Sequence, residues 1–122
     1  MQQLYFHPTW ERAISDKDRA IIEQLFDDTY EQVDDLIMSP TVRAAINHKG
    51  ELLVTALVHN FTHHSARFHE RSVFVQAGDY AEEHVMTIPE LVVAPFTSMP
   101  WTFIFPPPAQ PIVLQDVLLE IE

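Results

Sequence analysis

The sequence predicts a mainly β fold: an immunoglobulin-like antiparallel β-sandwich preceded by one N-terminal α-helix at about residues 16–33. Three observations predict it. From residue 41 on, short runs rich in Val, Ile, Leu, Thr and Phe alternate with turn signals at roughly 8–12-residue spacing, the texture of a sandwich. Only one stretch, near the start, repeats its apolar residues at three- and four-residue intervals. The chain has 122 residues, 47% of them apolar, which is the size of one domain and enough to bury a core. We therefore expect a single domain over 1–122, with a helical segment at 1–40 and the sandwich at 41–122.

The helix is signalled by Ser15 as N-cap, with Asp18 three residues on and Asp16 beside it, both suited to the positive end of the helix dipole. Ile22, Leu25, Phe26, Tyr30 and Val33 then form one apolar stripe, and most of the acids fall off it. Pro40 breaks the pattern. Val42, Ala44 and Ile46 alternate as a strand, and Asn47-His48-Lys49-Gly50 is a tight turn. Leu52 to His59 is a nearly continuous apolar run, the mark of a central strand. After a loop at 61–65, strands are expected near 66–70, 72–77, 82–88, 91–94 and 101–105. Gly78-Asp79 turns the chain, and the prolines at 89, 95, 100 and 106–108 separate elements. In the tail, Val117, Leu119 and Ile121 suit a strand, while Leu114, Val117, Leu118 and Ile121 suit a helix. The preceding prolines favour a final edge strand. Core positions are expected at Ile22, Phe26, Leu53, Leu57, Trp101, Phe103 and Phe105. On that reading, truncating Trp101 to Ala costs about 3–5 kcal/mol.

Composition excludes several functions. There are no cysteines, so disulfides, thiolate nucleophiles and Cys-ligated zinc are absent, as suits a reducing cytosol. The net charge of −11 repels phosphate backbones and anionic lipid headgroups, which argues against nucleic acid and membrane-surface binding. The N-terminus has no basic and apolar leader regions, and no apolar run approaches the roughly 20 residues of a membrane span. The expected compartment is the cytoplasm.

Catalytic equipment is sparse. The two glycines stand far apart, so no phosphate-cradling loop is present, and no serine stands in a G-x-S-x-G elbow. Adjacent acids such as Asp27-Asp28 and Glu82-Glu83 point apart on a helix or strand and make no dyad alone. The one cluster with metal-ligand chemistry is His59, His63 and His64; three imidazoles suit an open zinc site. It straddles a strand end and a loop and has no acid at a zinc-enzyme spacing, so the expectation is no metal, no cofactor and no enzyme. A His-cluster metal-binding protein or metal-dependent hydrolase is the alternative. Asn60-Phe61-Thr62 matches a glycosylation sequon by chance.

Four segments carry a family resemblance. Tyr5-Phe6-His7-Pro8-Thr9-Trp10-Glu11, Ser15-Asp16-Lys17-Asp18-Arg19, Ile46-Asn47-His48-Lys49-Gly50-Glu51-Leu52-Leu53-Val54 and Thr97-Ser98-Met99-Pro100-Trp101-Thr102-Phe103-Ile104-Phe105-Pro106 together resemble the SLAP domain. That is the domain of the S-layer assembly protein of the accessory Sec system in Gram-positive bacteria. The resemblance implies a cytoplasmic, non-enzymatic interaction module that assists export of surface-layer proteins, and it brings no catalytic residues. The partner it implies is a secretory precursor or a Sec component. Together with the sandwich pattern and the sparse catalytic equipment, this leads us to expect uptake of an extended precursor segment at an exposed strand edge by β-augmentation. Homodimerisation through such an edge stays open.

Overall fold

The structure, a computed structural model, describes residues 1–31 and 33–122. It is mainly β, with two sheets facing each other as a β-sandwich. The first sheet joins β1 (Gln3–Leu4), β7 (Thr97–Phe105), β4 (Leu52–Asn60) and β2 (Leu36–Met38) in that order, with β3 (Arg43–Ile46) also paired to β4. The second joins β6 (Tyr80–Val93), β5 (Ala66–Ala77) and β8 (Val117–Ile121). All pairings are antiparallel except β1 with β7, which is parallel and departs from the expected all-antiparallel pattern.

The core between the sheets follows from strand alternation. Leu52, Val54, Ala56 and Val58 of β4 meet Met99, Phe103 and Phe105 of β7, opposite Phe68, Val73 and Val75 of β5. Phe68 and Phe103 pack with ring centroids 5.7 Å apart. The alternate residues of β4 face outward, yet Leu57 and His59 are as buried as the core. The N-terminal helices cover them.

The main helix, α2, runs Asp16–Asp28 and is shorter than the expected 16–33. Ser15 caps it, its hydroxyl accepting from the Asp18 N–H at 3.1 Å. Asp27 and Asp28 sit against the negative end of the dipole with no base in the last turn, which disfavours continuation. Thr29 closes it, donating both N–H and hydroxyl to the Leu25 carbonyl. Ile22 is therefore buried and Leu25 and Phe26 half-buried, while Tyr30 and Val33, beyond the helix end, are exposed. Gln32, within the expected helix, lies outside the described residues.

A second helix, α1 (Pro8–Ala13), was not expected. At six residues it is too short to show a period, but Pro8 at its first turn and the His7 ring accepting from Thr9 N–H at 3.2 Å account for it. Strands β1 and β2 also lie inside the segment expected to be helical. Pieces expected as separate strands near 66–70 and 72–77 are one strand, β5, with an irregular register about Phe68 and Glu70 at positive φ. Those near 82–88 and 91–94 likewise form β6, which contains Pro89. The tail is an edge strand, β8, after a 3-10 turn at Leu114–Asp116. Among the described residues no helix is long and apolar enough to cross a membrane.

Candidate functional site

Proline placement leaves a groove open along the edge of β7. Pro100 was expected to mark a strand boundary, but it sits in mid-β7, opposite Leu57 of β4. The hydrogen-bond directions explain why. In an antiparallel ladder, alternate residues aim their N–H and C=O at the neighbour and the rest aim them away. The Ser98 carbonyl accepts from Tyr5 N–H on the β1 side at 2.9 Å, so Ser98 faces away from β4. The carbonyls of Leu57 and Thr55, opposite Pro100 and Thr102, accept from Ser39 and Val42 on the far side of β4, which agrees. Pro100, Thr102 and Ile104 thus share the outward register, and Pro100 forfeits no ladder bond.

β1 pairs only with Thr97 and Ser98 and then leaves the edge for α1. Beyond it, the outward N–H and C=O of Thr102 and Ile104 have no backbone partner among the described residues. This open edge runs along a groove of about 530 Å³. Trp10 of α1 forms one wall, Met86 and Ile88 of β6 the other, and Trp101 the floor, with Glu90 as its charged side chain among the described residues. The His7 ring meets Trp101 edge-on, with centroids 5.7 Å apart, and holds the indole at the seam between the sheets. At the opposite corner of the sandwich, Thr41 Oγ1 donates to the Val117 carbonyl and ties the sheets together.

Trp101 shares its strand face with the fully buried Phe103 and Phe105, as expected, but is itself half-buried because it lies at this seam. Its truncation is therefore milder than 3–5 kcal/mol. We expect Trp101→Ala to cost about 2 kcal/mol and to lower the thermal midpoint by several degrees. A midpoint drop of core size, as for a wholly buried Trp, would place the side chain inside the core instead.

The histidines are not brought together. His59 is buried beneath α2, whereas His63 and His64 are exposed on the 61–65 loop, and the His63 ring packs on Phe96 with centroids 4.9 Å apart. No group of three His, Cys, Asp or Glu that could hold a metal occurs among the described residues. Elemental analysis of the untagged protein should find no stoichiometric zinc; one zinc per chain, lost in the His63→Ala/His64→Ala double variant, would revive the metal reading.

His59 is instead the centre of a satisfied hydrogen-bond chain. The Thr29 hydroxyl donates to Leu25 C=O at 2.6 Å, so its oxygen must accept from His59 Nε2–H, 2.7 Å away. His59 Nδ1 then accepts from the Ser98 hydroxyl at 2.6 Å, which accepts in turn from Gln2 Nε2 at 3.0 Å. The ring stacks on Phe61 at 5.1 Å. Burial lowers its pKa to about 4. This chain ties β1, β4, β7 and the end of α2 into one unit. The neighbouring Asn60 is wholly buried, and its amide donates to the His64, Val93 and Ala94 carbonyls. The Asn60-Phe61-Thr62 sequon is thus used internally.

Of the remaining expected core positions, Leu57 is buried on the outer side of β4, and Ile22 is the buried residue of α2, beside Val42 and Thr55 of the first sheet's outer side. Phe26 is half-buried beside His59, and Leu53 is half-buried on the outer side of β4 rather than in the core. The groove was missed by sequence reasoning. Pro100 within an otherwise apolar run was the available signal for an unpaired edge.

Fold and groove together define a β-sandwich module whose β7 edge is left open beyond β1. A family model of the SLAP domain matches residues 4–117, nearly the whole chain, and the chain belongs to that family. No curated protein and no solved structure matches it.

Proposed function

We propose that this chain is a non-enzymatic protein-interaction module that assists accessory Sec-dependent export or assembly of surface-layer proteins, and that it works in the cytoplasm. The observation that carries the reading is membership of the SLAP family over residues 4–117, whose description points to that system. The open edge of β7 supports it, since backbone groups left unpaired in a groove suit recognition of another chain more than catalysis. The buried, internally bonded His59 also supports a non-catalytic role, because its ring nitrogens are both committed to the fold.

The test is a crosslinked pull-down with the full chain from a lysate of a Gram-positive host that makes a surface layer. Enrichment of an export ATPase or of unexported surface-layer precursor is the expected result. Recovery of neither, with the bait folded, sinks the reading. Fractionation of the same cells checks the compartment.

A further inference from the structure

We propose that the open edge of β7 takes up an extended, apolar segment of a partner chain, flanked by lysine or arginine, as an added strand. The inference rests on the interaction-module reading above and names the kind of segment bound. Its starting point is the edge itself. The chain already uses this edge once: β1 lies parallel on Thr97 and Ser98, and Tyr5 N–H bonds the Ser98 carbonyl. Past Pro100, which has no N–H to offer, the outward positions Thr102 and Ile104 repeat that geometry with no backbone partner among the described residues. A segment laid there continues the sheet where β1 stops.

The groove determines what kind of segment fits. Side chains alternate along an added strand, so one set meets Trp101, Met86 and Ile88 and the other meets Trp10. The first set thus finds a mainly apolar wall, and the second a mixed one, since Thr9 stands beside Trp10 in the lining. The rim carries Glu90, and the chain as a whole carries −11, so basic residues flanking the apolar stretch are favoured and acidic ones repelled. A second copy of this chain fits worse. It brings the same net charge, and its edge strands belong to thick two-layered bodies that must enter a concave groove walled by α1. A single extended chain has neither difficulty.

Both tryptophans of the protein line the groove, which makes intrinsic fluorescence a direct reporter. The probes are synthetic peptides alternating valine, leucine or phenylalanine with threonine, with lysine at each end, added to the full-length protein. The expected result is a saturable change in tryptophan emission, with the Thr102 and Ile104 amides becoming protected from hydrogen exchange. Methylating alternate peptide amides removes the ladder bonds and should weaken binding about tenfold or more. Glutamate in place of the terminal lysines should weaken it as well, and Glu90→Lys should reverse that preference. Ile104→Pro removes an outward N–H as Pro100 already does, so it should fold and lose the peptide. If it does not fold, the methylated peptides on the unaltered protein decide.

Failure of every lysine-ended peptide to bind overturns the proposal. So does binding indifferent to amide methylation, or protection at another edge. Protection of Thr102 and Ile104 without peptide, in a concentration-dependent dimer, assigns the edge to a second copy instead. The two readings fail separately. A pull-down that recovers export components equally with Ile104→Pro keeps the module and discards the edge. Peptide binding at the edge with no export component recovered keeps the edge and discards the export role.

Discussion

Removing residues 1–34 should leave a sandwich that aggregates, or that melts far below the intact protein. The deletion strips β1, α1 and α2 and uncovers Leu57, His59 and Phe61, all now buried, on the outer face of the first sheet. It also discards the burial of Ile22 and the partial burial of Phe6, Trp10, Leu25 and Phe26. At about 1.5–3 kcal/mol for each fully buried large side chain and less for the others, the loss is roughly 5 kcal/mol or more. That is a large part of the 5–15 kcal/mol typical of a whole domain. The newly exposed apolar face adds a driving force for association. Thermal denaturation with light scattering measures both effects. A truncated chain that stays monomeric and keeps its midpoint would mean that the helices do not seal the sheet.

The same geometry explains which features were legible in the sequence. The long strands were visible because their residues answer to a single environment: β4 is buried on both faces and reads as a continuous apolar run. α2 was visible because Ser15 caps it and Ile22, Leu25 and Phe26 face one sheet. Its end was overrun because Tyr30 and Val33 prolong the apolar period, although Asp27 and Asp28 already oppose the dipole. β1, β2 and α1, at two, three and six residues, are shorter than any period. Pro100 misled for a definite reason. A proline breaks a strand only where its missing N–H faces a neighbour, and Pro100 faces the open edge. The candidate site was illegible for that reason, since it is made from backbone groups that lack partners and from residues as distant as Trp10, Met86 and Trp101. The His59, His63 and His64 cluster misled in the opposite sense: adjacent in sequence, it splits between a buried strand and an exposed loop.

Acidification from pH 7 to pH 5 should destabilise the protein by about 2 kcal/mol through His59 alone. The folded pKa of about 4 lies below the ordinary 6.5 because burial penalises the charged ring. A proton on Nδ1 would also face a hydroxyl, that of Ser98, which now donates to it. The unfolded chain therefore binds the proton first as the pH falls. The contribution of the neutral, buried ring is complete above pH 6.5 and is lost progressively between 6.5 and 4. By pH 5 most of the free histidine is protonated while the buried one is not, before the carboxylates titrate substantially. The thermal midpoint should fall by roughly 5–10 °C across that interval. His59→Gln is expected to be less stable at pH 7, since the Gln2–Ser98–His59–Thr29 chain is broken, but to lose little more on going to pH 5. If the unaltered protein melts at the same temperature at both pH values, the ring is not held neutral beneath α2. If His59→Gln shows the full acid drop, another group is responsible for it.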